Sequence, residues 1–216
     1  ADGEIVLEEL NDAKDLMKNI SRIYIVACGS AYHVGMVGKY ALERLLHIPV
    51  EACLASEFRY SEPLLGESAL VIVISQSGET LDSMAALREA KRKGSKVLSI
   101  VNVMGSSIAR ESDYVLYTWA GPEIAVATTK AYTTQMVLLL MLGACLAKQL
   151  NRIDQEEYAA IIRELQGLPE KISVILNDLD HYQKASSRYF NHNSVFYIGR
   201  NLDYALGLEG SLKLKE

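Results

Sequence analysis

Over the first 120 residues, short unbroken apolar runs alternate with longer stretches whose apolar residues recur at helical spacing. Residues 22–27, Arg-Ile-Tyr-Ile-Val-Ala, are continuous and β-rich, and they lead into Cys28-Gly29-Ser30. Helical spacing follows over 31–46, and 49–53 reads as a short second strand. The run at 69–74 is the clearest strand, apolar on both faces as a central parallel strand must be. A helix over 80–93 stops at Gly94, and runs at 96–101 and 114–118 bring the strands to five. This alternation predicts an α/β fold: a doubly wound, five-stranded parallel sheet flanked by helices, with right-handed crossovers. Ligands of such sheets sit beyond the carboxyl ends of the strands, which directs attention to the residues after Ala27 and Ile74.

Before the first strand, residues 4–19 read as a lead-in helix with Ile5, Leu10, Ala13, Leu16 and Met17 near one face. From 128 to 191 the pattern is helical almost throughout, broken at Gly167-Leu168-Pro169. Residues 193–200 then look like the first strand again. Placing Gly199 on Gly29, an offset of 170, lays strand on strand and helix on helix. The expected organisation is a lead-in helix at 1–20, a first α/β unit at 21–150, connecting helices at 151–192, and the opening strand and helix of a second unit at 193–216. The chain starts without Met and stops at Leu212-Lys213-Leu214-Lys215-Glu216 in mid-helix, as a piece of a longer protein would. Val195, Phe196 and Leu212 are then expected to dock on the helical region, to dock on another copy, or to fray.

Half of the 216 residues are hydrophobic and 23% are charged, an ordinary globular balance. A net charge of -5 and a pI of about 5.5 argue against broad binding to nucleic acid or to acidic membranes. The longest apolar run, 136–147, has 12 residues and reads as a buried helix; a membrane span needs about 20. The acidic start Ala1-Asp2-Gly3-Glu4 is no signal peptide. Three cysteines, Cys28, Cys53 and Cys145, stand in apolar surroundings without ligand spacing, as free thiols of a reducing cytoplasm do. Four histidines lack metal spacing; His33 sits at a helix start beside the Cys28 turn, and His47, His181 and His192 are expected at the surface. Neither a metal nor an organic cofactor is called for.

Ser75-Gln76-Ser77-Gly78-Glu79-Thr80 lies between the strongest strand and a helix. Gly78 permits a sharp turn, the helix start offers unpaired N–H groups, and Ser75, Ser77 and Thr80 add hydroxyls without a cation. The Gln76 amide can donate to a sugar hydroxyl. The lysine of a Walker loop is absent, and no G-x-G-x-x-G follows either strand. The plainer alternative is a Ser/Thr-rich cap. Cys28-Gly29-Ser30 occupies the equivalent place after the first strand. In Glu123-Ile124-Ala125-Val126-Ala127-Thr128-Thr129-Lys130, Thr128 or Thr129 serves as helix N-cap, with backbone and hydroxyl contacts to a polar ligand as a compatible second role. Lys213 and Glu216 are three apart and share a helix face; spacing alone makes them a solvated ion pair.

Together with Ala-Ser-Glu-Phe-Arg-Tyr at 55–60 and Leu-Glu-Gly-Ser-Leu-Lys-Leu-Lys-Glu at 208–216, these segments occur in an order that resembles the sugar-isomerase (SIS) region of the glucosamine-6-phosphate synthase family, the glutamine–fructose-6-phosphate aminotransferases (isomerizing). The resemblance runs from about residue 20 to the end. It implies a SIS fold and conversion of fructose 6-phosphate and glutamine-derived ammonia into glucosamine 6-phosphate. It assigns sugar-phosphate binding to Ser30, Ser75, Gln76, Ser77, Thr80, Val126 and Thr128. Glu216 matches the carboxylate that shuttles a proton between C1 and C2 of the open-chain sugar, and Lys213 a lysine lining that site; these matches displace the ion-pair reading. The implied partners are the sugar phosphate, a second copy of the chain and a glutaminase domain in the parent protein, with no nucleic acid or membrane.

Departures are few within the motifs. Ser30 stands where Thr is common, Ala31 where Ser can occur, Thr128 where Ser is usual, and Asn201 where the second unit usually has Gly. Larger absences are a glutaminase domain, the rest of the second unit with its ring-opening histidine, and a C-terminal lysine that forms a Schiff base. The chain alone is therefore expected to bind sugar phosphate weakly and to be inactive. A stand-alone phosphosugar isomerase or sugar-phosphate-sensing module is the alternative; a nucleotide- or flavin-binding module would need a glycine-rich turn that this sequence lacks.

Overall fold

All seven residues of the strand Ala69–Ser75 are buried, and the molecule is layered around it. The computed structural model describes residues 3–13, 16–125 and 127–216. Five strands, β1 (Arg22–Ala27), β2 (Val50–Leu54), β3 (Ala69–Ser75), β4 (Lys96–Val101) and β5 (Tyr114–Tyr117), form one sheet in the order β2-β1-β3-β4-β5, every pair parallel. Nine α-helices are described: α1 (Gly29–Leu46), α2 (Ala55–Phe58), α3 (Leu81–Arg92), α4 (Ser107–Glu111), α5 (Lys130–Gln149), α6 (Gln155–Gln166), α7 (Leu168–Leu176), α8 (Leu179–Tyr189) and α9 (Leu202–Lys215). All five predicted strands are present, their ends within a residue of the expected ones.

Alternate side chains of each strand go to opposite faces. Ile23, Ile25, Leu70, Ile72, Ile74, Leu98 and Ile100 meet Val34, Leu42 and Leu46 of α1 and Leu138, Leu139 and Leu142 of α5. Tyr24, Val26, Val71, Val73 and Val97 meet α3 through Met84 and Leu87, with Phe58 and Ile108 filling the flanks. Helices α1 and α5 approach closely because Gly38 has no side chain: a Cβ there would stand 2.1 Å from Leu139 Cδ2. Helix α5 is long and apolar enough to cross a membrane by length and composition, but half of its most apolar window is packed inside this core. The three thiols are free and half-buried, and burial pushes Cys53 up to about 12.

Two expectations fail. The lead-in is no α-helix: Glu8–Ala13 is a short 3-10 helix, followed by a turn at 16–19. Asn11-Asp12 interrupts the helical pattern with residues that favour local turns over helix interiors. Leu10, Leu16 and Met17 are nonetheless buried, while the side chain of Ala13 lies outside the described residues. Residues 193–200 form no strand. A strand exists only against a neighbour, and the sheet is complete without this segment, whose Phe196 and Ile198 are 88% and 92% exposed. The helix after it does form, and α9 packs on α1. Asn201, the residue before it, takes φ +57 and ψ -125, a conformation that Gly adopts freely and that strains an L side chain.

Candidate functional site

The carboxyl ends of β1 and β3 are neighbours, Ala27 pairing with Ile74, so the turns that follow them lie side by side. Cys28 Sγ stands 4.0 Å from Ser83 Oγ on α3, which joins the two turns. In the turn after β3, Gly78 takes φ +65 and its N–H donates to Ser75 Oγ at 3.1 Å. Ser75 Oγ and Thr80 Oγ1 are 3.0 Å apart, and the Glu79 N–H donates to Ser77 Oγ at 3.2 Å. The turn is held from outside as well. Ile108 N–H donates to Gly78 O at 2.9 Å and Asn102 N–H to Gln76 O at 3.1 Å. The Glu79 carboxylate accepts from Ser107 N–H at 2.7 Å, which lowers its pKa.

Helix starts differ in a telling way. Asp154 caps α6 with a full capping box, Asp178 accepts from His181 N–H in α8, and the Glu123 carboxylate accepts from Ala131 N–H at 3.2 Å at the head of α5. The Glu123 pKa is lowered, chiefly by that bond. Thr129 is the N-cap residue of α5 but makes no side-chain cap, so the acid six residues earlier has taken the role expected of a threonine. Helices α1 and α3, which begin at the paired turns, have N-caps Cys28 and Thr80 with no side-chain cap bond, as have α2, α7 and α9, but α1 and α3 are long helices that start side by side at the ends of two paired strands. Unpaired N–H groups and the positive ends of two helix dipoles therefore face the same place, beside Ser30, Ser75, Gln76, Ser77 and Thr80. That is an anion-binding arrangement.

Thr128 is half-buried in the segment leading to α5, and Val126 lies outside the described residues. Asn102 organises the start of that segment: its Oδ1 accepts from Thr118 Oγ1 and Ala120 N–H, each at 2.9 Å, and its Nδ2 donates to Gly121 O at 2.7 Å. Trp119, at φ +52, is 68% exposed there, its ring 5.7 Å from that of Tyr117.

Lys213, in the last turn of α9, and Glu216, the residue that caps the helix, are hydrogen-bonded to each other. Their helix is pinned near the start of α1 by a contact that sequence reading missed, His33 Nδ1 to Glu209 Oε2 at 2.7 Å. Glu209 stands four residues before Lys213 and seven before Glu216, a spacing on one helix face that could have revealed it. No hydrogen bond among the described residues joins Lys213 or Glu216 to the Ser75 turn. The other histidines are exposed, as expected. Among the described residues no group of three or more His, Cys, Asp and Glu is placed to hold a metal. Two hollows of about 300 and 480 Å³ lie at the opposite, amino-terminal end of the sheet, around Arg22 and Val50 and around Glu67 and Lys96. The turns remain the candidate, because the starts of two long helices and the carboxyl ends of two paired central strands converge there.

A SIS domain family model matches residues 16–144, which take in the two turns and Thr128 but not Lys213 or Glu216. Glutamine–fructose-6-phosphate aminotransferase (isomerizing) of Caldanaerobacter subterraneus subsp. tengcongensis is 54% identical over 215 residues, 100% of this chain and 35% of that protein. The protein of the same name from Clostridium acetobutylicum is 50% identical over 212 residues, 98% of this chain and 35% of its own length. The solved C-terminal domain of glucosamine-fructose-6-phosphate aminotransferase from Francisella tularensis superposes with a TM-score of 0.94 at 38% identity, covering 100% of this chain and 60% of that one. The chain thus spans about a third of the length of the curated relatives it matches.

Proposed function

The chain belongs to the SIS domain family, and from that premise we propose that it is the sugar-phosphate-handling part of a glucosamine-6-phosphate synthase. In the whole protein, fructose 6-phosphate and glutamine-derived ammonia become glucosamine 6-phosphate. One observation carries this reading: two adjacent helix starts without side-chain caps, ringed by hydroxyls and free of cations. Such a cradle suits a phosphate ester, which accepts many hydrogen bonds at once.

In this reading Ser30, Ser75, Ser77 and Thr80 grip the phosphate, Gln76 donates to a sugar hydroxyl, and Thr128 adds a further hydroxyl contact, a role that the resemblance extends to Val126. Holding the ester orients the carbons at the far end of the sugar. Once ammonia has replaced the C2 carbonyl oxygen and water has left, a proton must go from C1 to C2. Glu216 takes it from the first carbon and returns it to the second, a task one carboxylate can perform within hydrogen-bond reach. Lys213, bonded to Glu216, supplies positive charge where electrons accumulate. The reading entails a glutaminase domain in the same longer protein, pairing of two copies and a cytoplasmic setting.

Calorimetric titration of the chain with fructose 6-phosphate tests it. Saturable binding that depends on the turn after β3 is expected. Absence of binding, or binding indifferent to substitutions in that turn, would overturn it.

A further inference from the structure

Helix α9 buries only two of its residues, Ala205 and Glu209. An acid is thus a principal contact by which this helix meets the domain, and Glu209 is only 6% exposed. A carboxylate so placed is costly unless donors meet its oxygens. Oε2 has one, His33 Nδ1 at 2.7 Å; with a carboxylate as acceptor, that nitrogen carries the proton. Oε1 is covered and has no hydrogen-bond partner, with the Lys213 ammonium 3.6 Å away. Tyr132 of α5 completes the lining: its hydroxyl is buried and also without a partner, and its phenol is pushed up to about 12 by burial and by the charge of Glu209. Tyr32 lies against His33, ring centroids 5.7 Å apart, with Tyr204 of α9 close enough to raise the Tyr32 pKa alongside burial.

Lys213 therefore stands between two acids, bonded to Glu216 and drawn towards Glu209. We propose that His33 is a positioning residue: by fixing the Glu209 carboxylate it holds the Lys213 ammonium, and through it the hydrogen-bonded Glu216 carboxylate, in the place from which Glu216 takes a proton from the sugar. This rests on the sugar-phosphate reading above and adds to it the residue that orients the reacting pair. Without the imidazole, Glu209 turns away, the Lys213 ammonium loses the second of its two acids, and the Lys213–Glu216 pair leaves that place. Phosphate binding, which belongs to the turn after β3, is untouched.

In the full-length enzyme that the proposed function calls for, His33→Leu is expected to lower kcat about 10- to 100-fold while KM for fructose 6-phosphate stays within about twofold. His33→Asn keeps an N–H donor bonded to Cγ, where Nδ1 stood, and is expected to restore kcat to within about threefold of the parent. A role confined to helix packing would instead lower stability in both variants and leave kcat alone. Unchanged kcat in His33→Leu, or equal loss in His33→Asn, overturns the proposal. A second readout needs no turnover: acylation of Lys213 in this chain by an amine reagent, followed by mass spectrometry, is expected to quicken in His33→Leu, where the ammonium has lost one of its two acids, and not in His33→Asn. An unchanged rate in His33→Leu overturns the proposal independently. Failure of the parent enzyme to bind or convert fructose 6-phosphate would sink the functional reading instead.

Discussion

Ser106 Oγ occupies the space that a side chain on Gly78 would need: an added Cβ would stand 2.0 Å from it. Gly78 is also held at φ +65, where an L side chain meets its own carbonyl. Gly78→Ala is therefore expected to cost about 1–2 kcal/mol from conformation alone, and more from overlap with Ser106. Thermal unfolding of Gly78→Ala, Ser106→Gly and the double variant separates the two. The double variant should recover the steric part and not the conformational part; full recovery would mean that the backbone is unstrained.

In the turn itself, Ser77→Ala and Thr80→Val each remove a hydroxyl that the functional reading places on phosphate. Each should weaken fructose 6-phosphate binding by about 1–3 kcal/mol, or roughly 5- to 150-fold in Kd. Thr80→Val also deletes the 3.0 Å contact with Ser75 and should be the more damaging. Calorimetry on folded variants decides the order.

Glu79 and Glu123 both accept backbone N–H bonds, and both have lowered pKa values for that reason. A carboxylate whose folded pKa is depressed stabilises the native state above its unfolded pKa, and that support is lost as pH falls through the folded value. Protection of the Ser107 and Ala131 amides should therefore be full above the ordinary 4.5 and fade below it. Hydrogen exchange, corrected for its intrinsic pH dependence, measures this. Glu79→Gln should remove the pH dependence at Ser107 and leave Ala131 unchanged.

Helices α7 and α8 bury none of their residues, and Phe190, Phe196 and Tyr197 that follow are exposed. Chymotrypsin is expected to cut first between 182 and 197, sparing the sheet and its covering helices. Protection that grows with protein concentration would support pairing of copies through this region. First cleavage within the sheet would contradict the layering described above.

Much of the fold is legible in the residues because a strand buried on both faces leaves an unbroken apolar run, as 69–74 does. A similar run at 193–200 misleads, since apolar character records a wish to be covered and not the presence of a neighbour to pair with. The turn after β3 is equally legible: glycine and hydroxyls between a strand and a helix mark a sharp turn, and Gly78 makes it at φ +65. Contacts made across the chain were not. His33 and Glu209 are 176 positions apart, and only the crossing of α1 and α9 brings them together. Glu123 displaced the expected threonine cap because a longer side chain reached back over a loop whose course no local pattern encodes.

The chain has a single tryptophan. Trp119 stands in water on the segment that Asn102 anchors, and Asn102 is bonded through its N–H to Gln76. The molecule thus carries its own optical reporter: indole emission arises at the rim of the candidate site and nowhere in the interior. Quenching or spectral movement on adding a solute tracks that rim without any dye, while unfolding of the core leaves a different mark, in the ultraviolet signals of the twelve tyrosines.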